Sequence, residues 1–286
     1  MNAPVKPSTL LRQRLAADVV VAPGAYDGMS ARLVAAAGFP AVYASGGAIA
    51  RAAGYPDIGL LSFTEVMDRV EKIVDASGLP VVADADTGFG GSANVERTVR
   101  IMERAGVAAF HIEDQSFPKR CGHLDDKSLV DVEEMCRKVH IARQTLSDPD
   151  ALVIARTDAI AVEGFDAALA RAQRYVEAGA DMLFVEAPET REQIQAIAER
   201  LPGLKLINMF YGGKTPLVPL PELAAMGYRL VIIPSDLQRA AIHAMQATLA
   251  AIRQTGDSSA LAERLTSFKE REEIVQTRRY LALDAQ

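Results

Sequence analysis

Two aspartates two residues apart in DADTGFGG (84–91), a glutamate in HIEDQ (111–115) and an arginine in ARTD (155–158) are the residues of this chain best suited to chemistry. On an extended strand the side chains of Asp84 and Asp86 leave on the same side, and Glu113 can meet them if its segment is the neighbouring strand. Carboxylates gathered in this way repel one another unless a cation joins them, and an all-oxygen set with room for water suits Mg²⁺. The competing reading is that the acids cap helix starts or pair with Arg156. The glycines of TGFGG leave space for a ligand at the backbone and favour the metal.

Two further groups could take part. Ser45-Gly46-Gly47 has the composition of an anion nest, and Arg156 offers bidentate contact with a carboxylate or phosphate. FPKRCGHLDD (117–126) places Cys121 beside Lys119, Arg120, Gly122 and His123, where metal ligation, proton chemistry and packing are all open to it. Together these residues describe a site for a polyanionic small molecule held through Mg²⁺.

Eight short apolar runs position these groups: residues 19–25, 41–45, 80–86, 108–113, 151–158, 182–186, 205–210 and 229–235. Six of the eight end in a polar residue, and amphipathic segments such as SFTEVMDRVEKIVDASG (62–78) lie between them, with Ser62 or Thr64 to cap the start and Gly78 to close the end. Strands apolar on both faces that alternate with helices imply a parallel sheet covered by helices, and eight units close into an α/β (β/α)8 TIM-type barrel. A doubly wound sheet fits less well, because no G-x-G-x-x-G turn follows the first run. A barrel gathers its strand ends on one rim, so Tyr43, Ser45, Asp84, Asp86, Glu113, Arg156, Glu186 and Asn208 are brought face to face. Residues 115–130 form the longest irregular segment and read as a lid or binding loop.

The 286 residues are expected to form a single barrel domain, with 236–286 as a C-terminal helical extension. A net charge of −6 without a long basic run argues against nucleic acid and anionic membranes as partners. With no long apolar segment and two cysteines outside any C-x-x-C pair, a cytoplasmic protein with reduced thiols is expected. Cys136 and His140 on VEEMCRKVHIARQ and His243 near the C-terminus read as structural, and His111 as a possible orienter inside the barrel.

Tyr43-x-SGG, DADTGFG, HIEDQ, KRCGH, ARTD and NM-x-x-GGKTP, in this order, resemble the isocitrate lyase and phosphoenolpyruvate mutase superfamily, above all its 2-methylisocitrate lyase and 2,3-dimethylmalate lyase (petal death protein) group. The resemblance spans roughly residues 20 to 240. It implies a barrel whose terminal helix is exchanged between paired subunits of a homotetramer. It also implies an Mg²⁺ site, with Mn²⁺ as a substitute, touched by Asp84 and framed through water by Asp57, Asp86 and Glu113. Ser45, Gly46, Gly47, Gly122, Arg156, Glu186, Asn208 and Tyr211 match substrate-binding positions, and residues 115–130 the gating loop.

The implied reaction is cleavage of a 2-hydroxy dicarboxylate to a 2-oxo acid. Chelation lowers the hydroxyl pKa, the alkoxide collapses as the C–C bond breaks, and Cys121 protonates the carbanion. Lys119, Arg120, His123 and Tyr43 assist it, steadying the anion and tuning the thiol. Cysteine-free members act on phosphorus–carbon bonds or on oxaloacetate, so carboxyphosphoenolpyruvate phosphonomutase, other phosphonate chemistry and oxaloacetate hydrolysis or decarboxylation are the alternatives, beside a non-catalytic binding barrel. The chain departs from the pattern in strand seven. Phe210 stands where the methylisocitrate lyases carry threonine, and Tyr211 replaces a glutamate of both groups, which favours a substituted malate over a tricarboxylate. Arg239 and Arg271 match carboxylate-binding arginines of the methylisocitrate lyases.

Overall fold

The computed structural model describes residues 5–124 and 126–284. Eight parallel strands, β1 (Val20–Ala25), β2 (Val42–Ala44), β3 (Val81–Asp84), β4 (Ala109–Glu113), β5 (Leu152–Thr157), β6 (Met182–Val185), β7 (Leu204–Asn208) and β8 (Leu230–Ile233), pair in chain order, and β8 closes on β1. This is the (β/α)8 barrel expected from the alternating runs. The helix Phe63–Ser77 shows why the pattern was readable: Ser62 and Glu65 form a reciprocal capping box, and Gly78 ends the helix at φ 61°.

Alternate residues of each strand face the interior. Val20, Ala22, Val82, Ala109, Leu152, Ile154, Met182, Phe184, Leu206, Leu230 and Ile232 fill it with buried apolar side chains. The next inward positions toward the strand ends are Asp84, His111, Glu113, Arg156 and Asn208, all buried, and Glu186 follows directly after β6. The interior therefore changes from hydrocarbon to charge along its axis, as the period of two demands. The other faces of the strands pack against the surrounding helices in a second apolar layer.

The strand reading needs one correction. β3 stops at Asp84, and Asp86 sits in a left-handed turn at φ 46° with its amide donating to Asp84 Oδ1 at 2.9 Å. The two aspartates are not successive residues on one strand face: the side chain of the first captures the amide of the second and bends the chain.

A helix over Pro7–Ala17, absent from the eight-unit reading, closes the opposite end of the barrel. Leu11 and Leu15 enter the interior cluster, while Ser8 binds Asp148 at 2.6 Å and Arg12 binds Asp181 at 2.8 Å. Beyond β8 the chain forms the helix Asp236–Thr255, in which Gln238 is the one buried residue, then the short helices Phe268–Ile274 and Thr277–Leu281.

The seam between β1 and β8 gives a stability test. A Cβ on Gly24 would fall inside the backbone carbonyl of Pro234, a partner that cannot turn away as a side chain can. Gly24→Ala is expected to destabilise the fold by about 1–3 kcal/mol or more, read as a lower midpoint in denaturant unfolding.

Candidate active site

A cavity of about 250 Å³ opens at the charged end of the barrel. Its lining includes Tyr43, Ser45, Gly47, Asp57, Asp84, Arg156, Glu186 and Asn208 from the strand ends and following turns, and Lys119, Arg120, Cys121, Gly122 and His123 from the loop after β4. Gly46, Asp86 and Glu113 lie just behind this surface. A Cβ on Gly46 would sit 2.6 Å from Asp84 Oδ2, and Asp86 and Glu113 reach the lining through Lys119 and Arg156.

The acids do not surround one shared point. Among the described residues no three His, Cys, Asp or Glu side chains are grouped so as to hold a metal ion. The reason is cationic: the Lys119 ammonium contacts Asp57 and lies 2.6 Å from Asp86, and Arg156 lies 3.1 Å from Glu113. The pairing of Glu113 with Arg156, the competing reading of these acids, is thus realised beside the clustering.

Charge balance nonetheless fits a divalent cation. Asp57, Asp84, Asp86 and Glu113 share Lys119 and Arg156, and Arg156 is also engaged by Asp158 at 2.9 Å and faces Glu186 at 3.9 Å. Glu113 Oε1 is buried without a hydrogen-bond partner. Burial raises the pKa of Asp84, lifts that of Asp86 to about 6 and takes that of Glu113 well above the usual carboxylate range, the crowding of like charges adding to each. A site with more carboxylate than positive charge, offering oxygen donors, suits Mg²⁺. Asp57 behaves oppositely, since Lys119 outweighs its burial and holds its pKa low. Burial also works against the Lys119 charge, but Asp86, Glu113 and Asp57 outweigh it and keep the ammonium firmly protonated.

Tyr43 and His111 form a buried pair. The phenol oxygen is 2.8 Å from His111 Nε2 and 3.5 Å from Asp84 Oδ2. Burial, with Arg156 nearby, pushes the His111 pKa down to about 3, so the ring is neutral, and burial beside Asp84 keeps the Tyr43 phenol protonated. Ser45 caps the helix Gly46–Ala52 by accepting from the Ala48 amide at 3.3 Å. The two glycines let carboxylates press on the backbone, since a Cβ on Gly47 would sit 2.8 Å from Asp57 Oδ2.

The loop residues are fixed from several sides. His123 Nδ1 accepts the Lys214 amide at 3.0 Å, which places the ring proton on Nε2, 2.8 Å from Glu186 Oε1. Phe210 stacks edge-on against that ring, with centroids 4.6 Å apart. Glu186 thus supplies the carboxylate that Tyr211 does not. Tyr211 itself does not reach the cavity: it is 71% exposed on the far side of the β7 loop, because Arg239 holds its carbonyl and Asp236 its amide. Arg120 lines the cavity while its head group lies 3.7 Å from Asp126. Arg239 reaches the cavity mouth, whereas Arg271 pairs with Glu272 and stacks on Phe268, away from it. Cys136, His140 and His243 lie off the site, and Cys136 stands at the surface near Arg174.

Burial, reinforced by Asp57, raises the pKa of Cys121. If catalysis uses the Cys121 proton, kcat/KM should not decline with rising pH until beyond the ordinary thiol value of about 8.5; a fall centred near neutrality in a pH–rate profile would contradict this.

Several lining residues were not singled out by the sequence reading: Arg51, Phe184, Ile232, Pro234, Gln238 and Ile242. Phe184 and Ile232 carried a signal, as the last apolar inward positions of β6 and β8. Gln238 and Ile242 carried none, because which turn of a terminal helix folds back over a rim is a tertiary fact.

Residues 11–253 match the profile of the phosphoenolpyruvate phosphomutase family. The chain is 44% identical over 271 residues to a 2,3-dimethylmalate lyase of Eubacterium barkeri, covering 94% of this chain and 93% of that protein. It is 42% identical over 270 residues to a 2-methylisocitrate lyase of Bacillus subtilis (strain 168), covering 94% and 88%. The crystal structure of a 2,3-dimethylmalate lyase, a member of the PEP mutase/isocitrate lyase superfamily, superposes with a TM-score of 0.93 at 36% identity, covering 99% of this chain and 96% of that one. A phosphonopyruvate hydrolase in complex with oxalate and Mg²⁺ superposes with a TM-score of 0.90 at 31% identity, covering 99% of both chains.

Proposed function

Because the chain belongs to the phosphoenolpyruvate phosphomutase family and its relatives include carbon–carbon lyases, we propose that it cleaves a substituted malate of the 2,3-dimethylmalate type to pyruvate and a monocarboxylic acid. The observation that carries this reading is the Cys121 thiol, held protonated in the wall of a cavity whose floor is acidic. A thiol of raised pKa is a poor nucleophile and a poor metal ligand but keeps a proton to give.

Asp84, Asp57, Asp86 and Glu113 would hold Mg²⁺. When bound, the ion would supply Lewis-acid chemistry that lowers the pKa of the substrate's 2-hydroxyl. Arg156 and the Ser45-Gly46-Gly47 turn bind the carboxylate next to the breaking bond. Tyr43, fixed by neutral His111, presents its O–H to the same end. The 2-hydroxyl proton passes to a carboxylate of the acidic floor, Asp84, Asp86 or Glu113; the 2-oxygen becomes a carbonyl as the bond between C2 and C3 breaks, and the electron pair of that bond moves onto C3 of the leaving carboxylic acid. Cys121 Sγ delivers its proton to C3. His123, 2.8 Å from Glu186, and Lys119 and Arg120 surround the developing negative charge.

Phe210, packed on His123 in the cavity wall, supports an alkyl substituent at C3 over a further carboxylate. Arg239, at the cavity mouth, is half-exposed and paired with Asp236. For 2,3-dimethylmalate the products would be pyruvate and propanoate. A screen of 2,3-dimethylmalate, alkylmalates, 2-methylisocitrate, isocitrate and oxaloacetate, read by 2-oxo acid release with and without Mg²⁺, tests the reading. Release should be greatest from a substituted malate and should require the ion; no release from any of them would sink the lyase assignment.

We also propose assembly as a homotetramer built from helix-exchanged dimers in the cytoplasm. The helix Asp236–Thr255 supports it, since Met245 and Leu249 stand 56% and 65% exposed on a long helix with almost no buried face. Among the described residues no helix is long and apolar enough to cross a membrane.

A further inference from the structure

Lys127 belongs to the same loop as Cys121 but not to the cavity wall. Its ammonium is buried, and it makes two contacts of different kinds: one to the carbonyl of Gly122, the residue after Cys121, and one to Asp158 Oδ1 at 3.1 Å. Asp158 is fully buried and also holds the substrate-facing arginine in bidentate fashion, with Arg156 Nε at 2.9 Å and a terminal nitrogen at 3.0 Å. Its own amide is fixed by Asp114 at 2.9 Å. A chain of contacts therefore runs from Gly122 through Lys127 and Asp158 to Arg156.

The base of the loop is closed independently. Ser116 N–H donates to the Ser128 carbonyl at 2.8 Å, and the Gln115 side chain exchanges two 2.8 Å bonds with the Arg120 backbone. Those contacts define the loop's shape without tying it to the barrel. Lys119 on Asp57 and Asp86 and His123 on the Lys214 amide tie the stretch on either side of Cys121 to the rim, and Lys127 adds a tie to the carbonyl of Gly122 itself. A buried ammonium is tolerated because its partners are in place, and lifting the tip breaks both contacts while Asp158 keeps Arg156. The pair thus favours the seated loop, and it seats the stretch that carries the thiol.

We propose that Lys127 is a positioning residue for the reaction: it clamps the Gly122 carbonyl to Asp158 and so holds the Cys121 thiol over the cavity in register with Arg156. This rests on the lyase reading for its catalytic consequence, but the clamp itself can be measured without turnover.

The test uses the full-length protein carrying Cys136→Ser, so that Cys121 is its one thiol, and follows the rate of Cys121 alkylation by iodoacetamide in the absence of substrate. Lys127→Met should raise that rate about tenfold by populating the lifted loop. It should also lower kcat by up to about 10²-fold with a smaller change in KM, since a thiol displaced by about 1 Å costs that much. Lys127→Arg, which keeps the charge and can reach both partners, should recover most of both effects. If Lys127→Met does not fold, Lys127→Gln, able to reach one partner at a time, takes its place with the same expected directions. An unchanged alkylation rate overturns the proposal, and so does faster alkylation with an unchanged kcat. If the parent protein releases no 2-oxo acid from any substrate, the lyase reading fails, and the alkylation rates alone decide the clamp.

Discussion

Cys121→Ser should lower the turnover of the preferred substituted malate by about 10²–10⁴-fold, the usual worth of a positioned general acid, while changing KM and thermal stability little. Serine preserves the size of the side chain and a hydroxyl, but its proton is far less acidic than a thiol's even after burial has raised the latter. The cost therefore falls on the proton transfer and not on binding. Loss of 2-oxo acid release with substrate binding intact by calorimetry is the expected pattern. Full turnover in the serine variant would assign the proton to another group and reopen the phosphonate alternative, whose chemistry has no use for a thiol.

Removal of Arg156 should be the most damaging change to the molecule as a whole. Its guanidinium is the common partner of Glu113 at 3.1 Å and Asp158 at 2.9 Å, and all three are buried. Arg156→Met leaves these carboxylates facing one another in a dry interior, a loss of about 3–5 kcal/mol, and removes the cation that faces the substrate. Stability and activity should therefore fall together. The sign with pH follows from the same charges. Without Arg156 the folded-state pKa of Glu113, already raised by burial, rises further above its unfolded value, so the deficit is full above that raised value and shrinks as the pH falls through it and the acid is protonated. Denaturant unfolding at about pH 5 and about pH 8 should show the smaller gap between variant and parent at the lower pH. Arg156→Lys should recover part of the stability but little activity, because one ammonium cannot span Glu113, Asp158 and a substrate carboxylate.

The barrel was legible because its signal is local and repeated: eight apolar runs, most of them ending in a polar residue, separated by amphipathic helices. Much of the cavity's lining was legible for the same reason, since the period of two decides which strand-end residues point inward, as with Asp84, Arg156 and Asn208. What lay outside reach depends on partners distant in sequence. The turn at Asp86 arises when the Asp84 carboxylate captures an amide, which no propensity encodes. Lys119 among the acids, Glu186 on His123 and Lys127 on Asp158 each require the loop after β4 to fold back over the rim. The outward turn of Tyr211 is set by Arg239 and Asp236 on a helix 25 residues further on. The helix Pro7–Ala17 buries only Ser8, Leu11 and Leu15, and its role became visible only from the open end of the barrel it fills.

The pairing of Val20 with Leu230 that completes the sheet also governs how the molecule can come into being. Each step from one strand to the next crosses a single helical segment, but the last seam joins the first strand of the barrel to the eighth. Such non-local contact is slow to form, because the entropy of a very long loop must be surrendered before the contact is rewarded. During synthesis the first strand emerges with an open edge, and the partner that covers it is the last of the eight strands to leave the ribosome. Until then the growing sheet exposes unpaired backbone on two sides, so the nascent chain, more than the finished barrel, is the state most at risk of aggregation.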